Sequence, residues 1–125
     1  MVVSVEFTFE VKDVTPSIIP SIFHVKGASN GDYNILVELS EKLGLSYKAG
    51  EKLKLRFMKG KPSEFNPEDY CGKAFLFAIK EKKEGKSKKY IYLLSVGGLI
   101  IRIEAKKKIK DFKIADEYYF CLSRE

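Results

Sequence analysis

Few side chains in this sequence have the type and spacing to do covalent chemistry. The one histidine, His24, falls on the polar side of an alternating stretch. No Ser/Asp or Cys arrangement of recognisable spacing accompanies it, so a structural or exposed imidazole is expected rather than a general base. Cys71 and Cys121 are far apart, with no CxxC and no nearby histidine. That spacing fits neither a zinc site nor a redox motif. Two buried thiols are expected, with a Cys71–Cys121 disulfide as the alternative in a heat-adapted chain. Glu64, Glu68 and Asp69 lie in a proline-flanked loop. They lack the ligand order of a calcium or magnesium site, so a solvated loop is expected. Gly97-Gly98 precedes no helix start and reads as a turn, not a phosphate cradle. The inventory therefore predicts no catalytic residue, no metal ligand and no cofactor.

Two basic clusters remain. Residues 80–89 hold six lysines against Glu81 and Glu84, and residues 106–113 hold five lysines against Asp111, so each is net +4. Tyr90, Tyr92 and Phe112 lie near them in sequence. Lysines with aromatics on a small barrel could form a single-strand groove. Arginine, the better phosphate fork, is limited to Arg56, Arg102 and Arg124. The clusters are read as a solvated hairpin tip and a solvated connection, and direct nucleic-acid contact is not expected.

The elements that carry these residues follow from length and periodicity. A chain of 125 residues with 45% hydrophobic content is one domain's worth, a single barrel domain over residues 1–125. Net charge is +6, but residues 1–50 are net −2 and the remainder net +8. There is no Gln and only three Asn beside abundant Lys, Glu and Ile, the bias of proteins from hot environments. No apolar run is long enough for a membrane helix and no signal peptide is visible, so a cytoplasmic protein without a membrane partner is expected.

Periodicity is two almost throughout. Residues 2–12 put Val3, Val5, Phe7, Phe9 and Val11 on one face, the pattern of a half-buried strand. Pro16 and Pro20 bracket a connection. Strands follow at 21–29, with Phe23 and Val25 inward, and from Tyr33 to Leu39, joined by the Asn30-Gly31 turn. Residues 40–50 are ambiguous, with a short helical turn offered by Ser40–Gly44. Further strands are expected at 51–59, 70–83, 88–96, 99–105 and 117–123, with loops at 60–69 and 106–114. The centre of the fifth, Ala74–Ile79, is apolar on both faces, so both faces should be covered. Eight short strands with hardly any helix predict an all-β closed barrel or sandwich.

The Gly97-Gly98 hairpin fixes its own register. A two-residue loop pairs Val96 with Leu99, Leu94 with Ile101 and Tyr92 with Ile103, all apolar and all on one face. A slip of one residue would set Leu94 against Arg102. The other face carries Ile91, Leu93, Ser95, Ile100, Arg102 and Glu104, more apolar than solvent requires.

The order of segments resembles a known family. Phe7–Val14, Gly50–Leu55, Glu64–Tyr70 with Gly72-Lys73, and Phe112 to Leu122 are similar to successive stretches of the eighth, small subunit of archaeal and eukaryotic RNA polymerases, the RpoG type. Leu94-Ser95-Val96-Gly97-Gly98-Leu99-Ile100-Ile101-Arg102-Ile103 is the clearest match. Loops that are acidic insertions in eukaryotic members are short or basic here, so the resemblance is to the compact archaeal form. It implies an eight-stranded antiparallel barrel of the oligonucleotide/oligosaccharide-binding (OB) type. It implies a non-catalytic subunit of DNA-directed RNA polymerase, docked on the largest subunit within the complex, with no homo-oligomer. The alternative function is a stand-alone OB-type single-stranded nucleic-acid binder.

The docking face is expected around the double glycine, at Ile91, Leu93, Ser95, Gly97, Gly98, Ile100 and Arg102. An apolar centre with one arginine has interface composition. The competing expectation is that the chain's own residues 106–114 cover this face.

Overall fold

The computed structural model describes residues 4–29, 32–60 and 69–125. Eight strands follow in order: β1 (Ser4–Pro16), β2 (Ile22–Ser29), β3 (Tyr33–Ser40), β4 (Lys52–Met58), β5 (Tyr70–Glu84), β6 (Ser87–Val96), β7 (Leu99–Ala105) and β8 (Glu117–Arg124). Every neighbouring pair is antiparallel, and the sheet closes on itself as β1-β2-β3-β7-β6-β5-β8-β4. The all-β, eight-stranded expectation holds. Closure gives every strand a neighbour on both sides over part of its length.

Alternation sets the core. Phe7, Phe9, Leu53, Leu55, Val37 and Leu94 are all at most 2% exposed, while Thr8, Lys52 and Lys26 face out. Gly27 is inward and serves a close approach. A Cβ there would stand 2.2 Å from Phe9 Cδ2 and 2.8 Å from the Glu10 carbonyl oxygen. The Gly97-Gly98 hairpin has the expected register, Val96 to Leu99, Leu94 to Ile101 and Tyr92 to Ile103. Its glycines stand at φ 58° and 97°, values that a two-residue hairpin turn demands.

β1 runs on to Pro16, past the expected boundary at residue 12. Its first half pairs with β4 and its second with β2, and the register shifts between Val11 and Asp13. That bulge at Lys12 breaks the alternation, which is why the pattern ended there in sequence. The ambiguous stretch contains one 3₁₀ turn, Glu41–Leu43. The Ser40 hydroxyl accepts from the Lys42 N–H at its start, and Gly44 closes it at φ 69°. The Asn30-Gly31 turn and most of the 60–69 loop, with Glu64 and Glu68, lie outside the described residues.

Each mouth of the barrel has a stopper. At the mouth where β7 ends, residues 106–114 cross from Ala105 and bury Phe112. Its ring centroid lies 5.2–6.2 Å from those of Phe57, Tyr92, Tyr118 and Phe7. Tyr92 Oη accepts from the Ile109 N–H at 2.7 Å, and Tyr118 Oη from the Lys113 N–H at 2.9 Å. Burial pushes the Tyr92 hydroxyl above its ordinary pKa, against the opposing effect of the Ile109 hydrogen bond. At the other mouth Tyr47 is buried, with the Arg124 guanidinium 4.9 Å from its ring centroid.

A candidate protein docking surface

The outer wall of β5, β6, β7 and β3 is built from in-register rows. One row runs Phe75, Ser95, Ile100. From Ile100 the backbone N–H reaches Glu38 Oε1 at 2.9 Å, and Glu38 Oε2 lies 2.9 Å from His24 Nε2. The next row runs Ala78, Leu93, Arg102, Leu36, Lys26. The third runs Lys80, Ile91, Glu104, Asn34. The first two rows are thus apolar towards β5 and charged towards β2, while the third starts at Lys80 on β5.

The expected docking residues Leu93, Ser95, Ile100 and Arg102 come together on this wall, with Gly97 and Gly98 in the turn at its end. Leu93, Ser95 and Ile100 are half-buried, and Gly97, Gly98 and Arg102 are exposed. Ile91 points the same way but is 8% exposed, flanked in register by Lys80 and Glu104. It offers a partner little area.

Two larger residues were missing from the sequence expectation. Phe75 and Phe77 are 41% and 42% exposed. The β5–β6 register shifts between Leu76 and Ala78, so Phe77 sits in a bulge. A bulge re-aims its side chain, and here it leaves two aromatic rings on the outside beside Leu93. The expectation that both faces of Ala74–Ile79 are covered is therefore corrected: Leu76 is buried inside, while the outer face stays open. The competing expectation for residues 106–114 is corrected as well. They stopper the barrel mouth through Phe112 and leave the wall bare.

Arg102 Nη2 lies 3.5 Å from Glu104 Oε2, and Glu104 Oε1 also holds Lys89 at 3.3 Å. The Arg102 side chain remains 46% exposed. A long, exposed contact of this kind leaves the guanidinium free to turn to a better carboxylate.

His24 Nε2 lies 2.9 Å from Glu38 Oε2 on the outer side of the barrel. Its imidazole and the Ile100 N–H share the Glu38 carboxylate, which joins β2, β3 and β7 on the outer side. Cys71 and Cys121 are a correction. They face each other across β5 and β8 and form a disulfide, with Cα atoms 4.1 Å apart. The bond closes a 50-residue loop, worth about 4 kcal/mol in the chain-entropy account. Nothing local in the sequence brings the two together. Among the described residues no cluster of three His, Cys, Asp or Glu side chains could hold a metal ion. No helix among them is long and apolar enough to cross a membrane.

Among curated proteins, none matches the chain. A family model does, over residues 4–125, and that span takes in all eight strands, the bulged wall and both stoppers. By that match the chain belongs to the RpbG family of DNA-directed RNA polymerase subunits.

Proposed function

We propose that the chain is a non-catalytic structural and assembly subunit of DNA-directed RNA polymerase, docking on the largest subunit through the β5–β6–β7 wall. One barrel over residues 1–125 would act as a unit, inside the cytoplasm of an archaeal, heat-adapted cell. The observation that carries the reading is the exposed pair Phe75 and Phe77 beside Leu93 and Ile100, in a chain of the polymerase subunit family. Exposed aromatics beside an arginine have the composition of an interface core, where lysine is depleted. The surround of Glu38, Glu104, Glu117 and Arg102 supplies a mixed-charge rim. With Lys26 and Lys80 beside the glutamates the rim mixes both signs, which suits a protein surface better than a phosphate backbone of one sign.

The test is capture of polymerase subunits by the tagged chain. Wild type should retain the largest subunit, and Phe75→Ser/Phe77→Ser should lose it while melting as a folded barrel. Capture undiminished by that double change would overturn the reading.

A further inference from the structure

The two lysine clusters are separated in sequence by the whole β6–β7 hairpin, yet the fold gathers them at one pole. The ladder of β5 and β6 continues outward as a two-stranded ribbon, pairing Lys82 with Lys89, Lys83 with Lys88 and Glu84 with Ser87. Ala105 pairs with Tyr90 at the ribbon's base and with Tyr33 on its other side. The second cluster starts at the next residue. The Lys106 N–H donates to the Asp32 carbonyl at 3.4 Å, and the segment then crosses the mouth beneath the ribbon to Phe112. Lys89, of the ribbon, shares Glu104 with the barrel at 3.3 Å.

The charge at this pole is lopsided. Ribbon residues 80–89 and mouth residues 106–113 carry +4 each, while the whole chain carries +6, so everything else is net −2. The ribbon's two glutamates are already engaged, Glu81 with Lys88 at 3.3 Å and Glu84 with Lys82 at 3.4 Å. Among the described residues, Lys80, Lys83 and Lys86 and all five mouth lysines make no ion pair, and all eight are exposed. Heat adaptation alone does not produce this, because it mixes lysine with glutamate in surface networks. The net charge of +8 around one mouth, eight of its lysines outside any ion pair, is self-repelling, and a polyanion relieves that.

We infer that this lysine pole binds the phosphate backbone of duplex DNA, without reading sequence. Lysine is a point charge that suits phosphate, and phosphate contacts carry no sequence information directly. A two-stranded ribbon is narrow enough to lie in a major groove of ~12 Å, with lysines on both of its faces towards the flanking phosphates. Among the described residues the exposed aromatics Phe75 and Phe77 belong to the wall, while Tyr33 and Tyr90 at the pole are half-buried against the core, so the pole offers single strands little stacking area. The inference rests on the polymerase reading only for where the DNA comes from. The binding itself is a property of the chain.

The test is fluorescence anisotropy of the purified full chain with a labelled random-sequence duplex, from 50 to 300 mM salt. Binding should weaken steeply, each phosphate contact adding ~0.9 to the slope of log K against log salt. Replacing Lys83, Lys86, Lys107 and Lys108 by Gln should cost at least about tenfold in affinity at low salt and lower the slope by roughly three to four. Replacing Lys26, Lys42, Lys48 and Lys52, an equal charge placed elsewhere, should cost less than about threefold. Equal losses in the two variants would overturn the pole in favour of bulk charge. Absent or salt-insensitive binding would overturn it outright. Competition by polyglutamate as strong as by duplex would assign the pole to an acidic protein, and tighter binding to a single strand would move recognition to the aromatic wall. Capture of polymerase subunits should be unchanged by the pole variant, so the docking reading and this one fail separately.

Discussion

The Glu38 carboxylate reaches the Ile100 N–H, 62 positions away in the chain, at 2.9 Å. The β3–β7 backbone ladder ends at Val37 and Ile101, so the side chain extends it by one step. Its second oxygen holds His24. Glu38→Ala should therefore release both β2 and β7 and cost about 1–2 kcal/mol, the range for a charged hydrogen bond that is partly wet. Chemical denaturation of the variant checks this, and an unchanged midpoint would reduce Glu38 to a surface residue.

Phe112 is the heaviest single element of the mouth. Its ring meets four other aromatic rings, and the segment on either side is held by the hydroxyls of Tyr92 and Tyr118. Phe112→Ala removes the stopper and admits water above Phe7 and Phe57. A loss of about 3–5 kcal/mol is expected, as for other buried Phe→Ala changes, and is measurable as a lower melting temperature. A loss under about 1 kcal/mol would mean the mouth closes without the ring.

What could be read in the sequence was what hairpins fix locally. Val96 to Leu99 was legible because two glycines and an alternation admit one register. His24 with Glu38 was within reach by counting back along the β2–β3 hairpin from Ser29 and Tyr33. Cys71 with Cys121 was not, because β5 and β8 meet only on barrel closure. The single lysine pole was within reach, because the legible hairpin register also sets Tyr90 opposite Ala105 and so brings Lys89 and Lys106 to one end. Phe77 was hidden for a different reason. In Ala74–Ile79 every residue is apolar, so alternation carries no information about where a bulge lies.

Acid should weaken the mouth opposite Phe112. Arg124 Nε donates to Glu51 Oε2 at 2.8 Å, its guanidinium also donates to the Ser46 carbonyl, and the Lys48 N–H donates to Glu51 Oε1 at 2.8 Å. The Arg124 hydrogen bond, before the smaller effect of Lys48, holds the Glu51 carboxyl below its ordinary range. A carboxyl lowered on folding stabilises above its unfolded pKa of ~4.3 and loses that contribution as pH falls through its folded value. Wild type should melt higher than Glu51→Gln at pH 7, and the gap should narrow below about pH 4.3. A gap independent of pH would remove the charge from the explanation.

The ribbon lysines should be dispensable for assembly. Lysine is depleted in interface cores and loses much side-chain entropy on ordering. Replacing Lys82, Lys83, Lys86 and Lys88 with Ser should leave capture of the largest polymerase subunit nearly unchanged, because these residues project beyond the wall. A marked loss of capture would place the ribbon in the docking interface.

Arg102 separates interface from internal structure. Its partner Glu104 is 3.5 Å away and is also shared with Lys89. Removing Arg102 therefore leaves Glu104 a partner, and Arg102→Ala should melt like wild type. On the wall it lies between Leu93 and Leu36, where an arginine can fork onto a partner's carboxylate while the apolar neighbours exclude water. Its loss should weaken assembly by about 1–3 kcal/mol, read as lower capture by the tagged chain. Gly98→Val makes the contrast. No atom stands within 4 Å of a Cβ at Gly98, so the whole penalty comes from φ 97°, which a β-branched residue resists. That variant should lose both melting temperature and capture, because the turn sets the register of both faces. An Arg102→Ala protein that unfolds alone would move the residue into the barrel's internal structure, and one that assembles normally would take it off the docking surface.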